Sequence, residues 1–580
     1  MNIPINTRTW LVMAVFLIVL SSTASAQESQ LGAVDFPTSG SEKAQAHFLH
    51  GLAALHSFWY EEALEAFRES TRIEPDFAMG YWGEAMAHNH PLWSEQDTSA
   101  AREVIAKIKD SPKLTARERA YLNAVKVLYI GGDKDARDVA YSRDMEKIYR
   151  AYPQDLDAAA FYALSLLGIA DYSDRTYRLQ TKAGAIAMAV YEKNPNHPGA
   201  AHYIIHAFDD PEHAIQALPA ARRYAGIAPE AHHARHMPSH IFLQLGMWPE
   251  AAASNESAWE ASEAWMKRKN LSPSVRDYHS LHWLLYVYLQ QGRYSKAEEL
   301  LGIMKKTMTE STYDNKLRPG YYESNYANMA AAFVVETERW NLASTFFDAT
   351  ATKGQPSTGQ PETGGHSGHD KSQPASTSGT ATVRASNKNR ILPFFIRGLA
   401  SAGKDAMTSK QSTVGLKELM SGAAGDRIMA IQIMKLEIDS VAASMKRDHR
   451  RAIEYMKRAT FLEDEMGPPS GPPGLIKPTH ELFGEILLRA GKPVEAAEQF
   501  KTALRNQPNR ARSLLGLARS TAQSGDHNGA AAAYAKLLEQ WRQADEGLPE
   551  LTEAREYLKK SDKAPKAGRV KGSRFQNVAS

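Results

Sequence analysis

The chain has 580 residues, no cysteine and 69 basic against 66 acidic side chains, a formal net charge of +3. The missing thiols exclude disulfides, a lipobox anchor, thiolate metal ligands, thiol catalysis and covalent c-type haem attachment, so any metal site must use His, Asp, Glu or Met. Near-balanced charge argues against nucleic acid as the main partner.

The chain opens with one positive charge, Arg8, an apolar run from Trp10 to Leu20, and the small residues Ala24-Ser25-Ala26 before Gln27. That order predicts a secretory signal peptide over residues 1–26, cut after Ala26, and a periplasmic or secreted mature protein. The apolar run is shorter than the roughly 20 residues a membrane-spanning helix needs. No later stretch approaches that length, so no transmembrane segment is expected once the signal is removed.

From Ala44 onward a repeat of about 34 residues sets in. Gly51, Tyr60, Ala63, Phe67 and Pro75 fall at positions 8, 17, 20, 24 and 32 of the first unit. Small residues at 8 and 20 let two helices approach closely, aromatics fill the space between them, and proline stops the second helix. The frame returns with Trp248, Ala251 and Ala258, with Tyr288, Tyr294 and Ala297, with Trp340, Ala343 and Phe347, and with Gly484, Ala496, Phe500, Ala503 and Pro508. Less regular copies start near Ala78, Leu122, Pro198, Met434 and Ala511, giving about ten to twelve units in all.

Between Thr350 and Asn389 the composition turns to Gly, Ser, Thr, Pro and Gln, which predicts a disordered linker. The expected layout is an amino-terminal block over 42–349, the linker over 350–389, a carboxy-terminal block over 390–558 and a basic disordered tail over 559–580. The Pro-Gly run from Gly467 to Pro478 reads as a short extended connector before a helix beginning near Thr479.

These units resemble the tetratricopeptide-repeat superfamily over most of the mature sequence. Tyr81–Met86, His202–His206 and His236–Phe242 are similar to phrases in a group of secreted bacterial repeat proteins with a His-rich groove. The resemblance implies an all-α, right-handed superhelical solenoid of helix hairpins, in two blocks joined by the linker. It also implies a scaffold whose first helices line a concave groove for a protein or peptide partner, and it does not imply catalysis.

Ten of the twenty histidines lie between His197 and His282. His202 and His206 occupy positions 5 and 9 of one repeat, and His236 and His240 the same positions of the next. His233 and His279 take position 2, and His282 takes position 5. Residues three and four apart share a helical face, so these imidazoles should line the groove. Adjacent first helices about 8–10 Å apart could bring them to one ion. The expected ligands are His202, His206, His236, His240 and His282, with Zn²⁺ or Cu²⁺ suited to sulfur-free His ligation and Asp209, Asp210 or Met237 as extra donors. Packing, or a polar peptide groove, is the plainer alternative for each histidine alone. His213 is expected on a second helix, away from the groove.

Trp82 and Met86 fall at positions 5 and 9 of their repeat and are expected, with His233 and His279, as partner contacts in the groove. Two near-matches to catalytic motifs fail. The stretch from Gly365 through Ser367 ends in His369 where a nucleophile elbow needs glycine. His480-Glu481 is followed by Gly484 where a zinc-protease helix needs histidine. No catalytic residue is assigned, and a non-enzymatic role is favoured. Two functions remain open: an exported scaffold for a protein or peptide, and a Zn- or Cu-binding protein or metalloenzyme built on the histidine cluster.

Overall fold

A computed structural model describes residues 30–171, 174–310, 320–347, 379–421, 423 and 425–561. The stretch expected as a signal peptide, most of the expected linker with His366 and His369, and the expected tail beyond Ser561 lie outside the described residues. Helix follows helix from Glu42–His56 to Pro549–Ser561, and among the described residues the strands are a two-residue antiparallel pair, Asn89–His90 with Glu95–Gln96. No helix among the described residues is long and apolar enough to cross a membrane.

The hairpins close as the repeat chemistry requires. Helix Glu42–His56 packs on helix Tyr60–Ile73, and the fully buried Phe67 ring lies between them. A Cβ at Gly51 would sit 2.9 Å from that ring, and a Cβ at Gly83 in the next helix only 2.3 Å. Two glycines thus admit one phenyl ring and lock one hairpin to the next. Phe500 repeats the arrangement between Gly484 and Gly516, whose added Cβ atoms would stand 2.7 and 2.2 Å from its ring. Interior side chains are close-packed, so neither site could absorb even one methyl group without displacement.

Helix Gly379–Ser401 begins inside the stretch expected as linker, so the boundary placed at residue 390 falls within a helix. Helix Pro549–Ser561 likewise takes in the first residues of the expected tail. The second block is also no separate module, because it docks on the first. Trp541 Nε1 donates to the carbonyl of Gln290 (3.0 Å), Trp248 Nε1 donates to that of Asn509 (2.9 Å), and Gln290 Oε1 accepts from the Ala511 amide (3.0 Å).

At the centre of this contact Arg510 is wholly buried. Its guanidinium donates to Glu481 Oε2 (2.8 Å), Tyr286 Oη (2.9 Å) and Glu336 Oε1 (2.5 Å). Lys477 Nζ donates to Glu481 Oε1 (2.9 Å) and Glu485 Oε1 (2.6 Å). Burial alone would raise the Glu481 carboxyl, but Arg510 and Lys477 hold it well below the usual carboxylate range. Removing one partner of such a pair strands a buried charge, which costs about 3–5 kcal/mol. Arg510→Met should therefore lower unfolding free energy by about that amount in urea titrations, with partial recovery in the Arg510→Met, Glu481→Gln double variant. A loss below about 1 kcal/mol, typical of an exposed pair, would contradict this account.

Candidate metal centre

Four short segments converge in the first block. Helix Pro198–Ala207 carries His202 and His206, helix His232–His236 carries His233 and His236, helix Pro238–Gln244 carries His240, and the first turn of helix Tyr278–Gln290 carries His279. Asp277 caps that last helix by accepting from the Ser280 amide (3.0 Å) and accepts from His232 Nδ1 as well (3.2 Å), which fixes the first turn where His279 sits. Burial would raise the Asp277 carboxyl, but the hydrogen bond from His232 and the nearby histidines hold it far below the carboxylate range.

The histidines form two groups of three. One nitrogen each from His202, His206 and His233 lie within 4.8 Å of one another, and so do those from His236, His240 and His279. In each group two rings are buried and the third, His233 or His279, is half-buried. Within the groups His202 Nε2 and His206 Nε2 are 3.0 Å apart, and His236 Nε2 and His240 Nε2 are 3.2 Å apart. Two nitrogens bound at about 2.0–2.1 Å to one tetrahedral ion stand roughly 3.3 Å from each other.

The far nitrogens set the tautomers. His202 Nδ1 donates to the carbonyl oxygen of His56 (2.7 Å) and His240 Nδ1 donates to Asp209 Oδ2 (2.7 Å). His236 Nδ1 donates to Asn255 Oδ1 (2.7 Å), and the Asn255 amide is oriented by its own donation to the Ala251 carbonyl (2.9 Å). With Nδ1–H committed, His202 and His236 present an Nε2 lone pair to their groups, and Asp209 turns the Nε2 of His240 toward the second. Such an acceptor behind a ligating histidine is the usual outer-shell feature of metal sites. Burial pushes His202 and His236 down to about 3, so both rings stay neutral at any ordinary pH. Burial and the neighbouring His236 also push His279 well below its ordinary value.

An aromatic ring closes each group. Phe58 stands edge-on to His202 at 4.3 Å between centroids and stacks on His206 and His233 at 5.8 Å. Its backbone has φ +53°, a strained conformation for a bulky residue. Trp283 lies 4.2 Å from His240 and 4.9 Å from His236. The Pro-Gly connector of the second block rests on Trp283, since a Cβ at Gly471 would meet its ring at 2.6 Å. Gln244 ties the same loop down, donating to the carbonyl of Pro469 (2.9 Å) and to Asp209 Oδ1 (3.1 Å).

Several expectations need correction. His202, His206, His236 and His240 do not meet at one point; they pair within each segment, and the His206 and His240 rings are 6.0 Å apart. The third members are His233 and His279, expected as partner contacts, whereas His282 joins neither group and is a half-buried ring pushed down to about 4 by desolvation. Asp209 holds His240 from behind. Asp210 accepts instead from His213 Nδ1 (2.9 Å), beside the start of helix Ala214–Ile227, and Met237 is buried in the core. Trp82 and Met86 are buried too. Phe36, from the segment before the first repeat, stacks on Trp82 at 5.7 Å, and Tyr141 Oη reaches Met86 Sδ at 3.8 Å.

A third polar group, which no spacing in the sequence signals, joins His56, Asp157 and His197. His56 Nε2 donates to Asp157 Oδ1 (2.8 Å), His56 Nδ1 accepts from Tyr203 Oη (2.9 Å), and His197 Nδ1 accepts from the Ala200 amide (3.1 Å). His197 Nε2 lies 3.4 Å from the same Asp157 oxygen. Burial would raise the Asp157 carboxyl, but the two imidazoles hold it far below its usual range. The lone pairs of both rings are taken within the protein, so this group is a brace. It positions His56, whose carbonyl orients His202.

Successive close-packed helix hairpins make the chain an α-solenoid of repeats. A tetratricopeptide-repeat family model matches residues 44–77, the first helix hairpin of the array. No curated protein matches the chain. Among solved structures, a tetratricopeptide repeat protein from Parabacteroides merdae is 14% identical, with 57% of this chain and 98% of that chain covered and a TM-score of 0.28. Yeast Tom70 is 13% identical over 90% of this chain and 89% of that chain, with a TM-score of 0.29. The tetratricopeptide-repeat domain of P58(IPK) is 14% identical over 70% and 99%, with a TM-score of 0.19.

Neutral buried histidines make stability depend on pH. An unfolded histidine titrates near 6.5, whereas His202 and His236 fold with values of about 3, so the unfolded chain binds more protons between those limits. Stability is therefore full above about pH 6.5 and falls as pH drops. For chelator-stripped protein we expect a loss of about 1.4 kcal/mol per pH unit for each such ring between about pH 6 and 4.5, where carboxylates contribute little. Denaturant midpoints across that range should show a shallower slope in His202→Gln than in the wild type, and a flat wild-type profile would contradict the buried neutral state.

Proposed function

We propose that this protein is an exported tetratricopeptide-repeat scaffold that binds transition-metal ions, Zn²⁺ or Cu²⁺, at the two histidine triads. The observation that carries the reading is the pair His236 and His240. Both Nδ1 atoms are turned to acceptors, so the two Nε2 atoms face each other 3.2 Å apart, close to the spacing of two ligand nitrogens on one tetrahedral ion. A metal ion satisfies both and brings in His279. In the first triad His202 is oriented by the His56 carbonyl, and its Nε2 stands 3.0 Å from that of His206. Export rests on the pattern of residues 1–26 and suits a cysteine-free chain that takes its metal outside the cytoplasm.

The test is metal analysis of mature, untagged protein recovered from its own compartment, followed by titration of stripped protein with Zn²⁺ and Cu²⁺. Wild type should retain metal through gel filtration, His240→Ala should lose the second site, and the His206→Ala, His240→Ala double variant should lose both while keeping its helical circular-dichroism signal. Stripped wild type that takes up no stoichiometric metal would sink the proposal.

A further inference from the structure

The two triads are too close to be independent. His233 and His236 stand three residues apart on one helix, an axial rise of about 4.5 Å, yet they serve different triads. Their ring centroids are 6.0 Å apart, as are those of His206 and His240, which again belong one to each triad. Each ion would have three protein donors and so an open fourth position, the arrangement of a reactive rather than a closed structural site.

Charge points the same way. All six donors are imidazoles, which bring no negative charge to a bound cation, and the carboxylates placed against them are Asp209 behind His240 and Asp277 beside His236 and His279. Two divalent ions would leave the pocket with an excess of positive charge that burial penalises. A small anion held between the ions removes part of that excess and fills both open positions. Phe58 and Trp283 wall the triads with apolar rings, while half-buried His233 and His279 mark the side open to solvent.

We infer that the two triads are halves of one dinuclear centre that takes a small bridging oxygen ligand, hydroxide at rest. It forms when a water bound between the ions gives its proton to solvent, which two adjacent cations make easier than one. The inference rests on the metal reading above and extends it to how the ions cooperate. The ligand class is then small oxygen anions able to span the roughly 3.5–4 Å typical of paired metals.

The experiment loads stripped protein with two equivalents of Cu²⁺ per chain, confirms stoichiometry by metal analysis after gel filtration, and records electron paramagnetic resonance. With a bridging hydroxide the two spins couple, so the integrated signal of the two-copper protein should fall below that of the one-copper variant His206→Gln. Acidification should restore the signal as the bridge is protonated. His279→Gln serves as the second one-copper variant should His206→Gln fail to fold. Two full, independent signals from the wild type overturn the paired centre, as does retention of only one copper per chain, and both leave the metal reading standing. No retained copper overturns both.

Discussion

A buried neutral imidazole whose Nδ1–H is committed has one thing left to offer, the lone pair on Nε2, and this constraint organises the first block. His236 obeys it through Asn255 and His202 through the carbonyl of His56, while Asp209 orients His240 from behind. The acceptors come from different hairpins, so their placement requires the stack of repeats to be in register. His56 ends the first helix of the array, and its ring is braced by Asp157 and Tyr203 from hairpins well along the chain. The orientation of one candidate ligand thus depends on packing across several repeats.

The second block enters the same logic from outside. Arg510 bridges Glu481 of its own block to Tyr286 and Glu336 of the first, and Tyr286 shares a helix with His279 and Trp283. The Pro-Gly connector then seats Gly471 on the Trp283 ring and Pro469 on Gln244. A disturbance of the docked block would be felt at Trp283 and at Asp209 through Gln244 before it reached any histidine. The ion network is a costly way to hold two blocks together, since each charge must lose its water. Its directional contacts fix the connector over the second triad, which an apolar interface of equal area would define less sharply.

The repeat was legible in the sequence because its signals are local: glycine where helices touch, a phenyl ring where they cross, proline where they stop. The pairs His202 with His206 and His236 with His240 were legible for the same reason, since a spacing of four stacks side chains on any helix. The third members were not. His233 and His236 lie just before Pro238, where the segment is divided into two short helices, and the repeat frame does not say toward which neighbour each turn points. His279 and His282 share one helix face at three-residue spacing, and sequence spacing cannot tell which of them reaches the second triad.

The failure at Trp82 and Met86 has a different cause, and it bears on function. Position within a repeat predicts which face a residue takes, but not whether another part of the chain already covers that face. Phe36 lies against Trp82, Phe48 and Tyr121, and the same leading segment pairs the Ala33 amide with the carbonyl of Asn196. The Trp82 face of the first repeats is therefore covered by the chain itself, as Trp283 is covered by the connector. A solenoid that covers part of its own surface in this way gains a water-poor interior. In such an interior neutral nitrogen donors stay unprotonated, and the attraction between a cation and its ligands is weakened least by solvent.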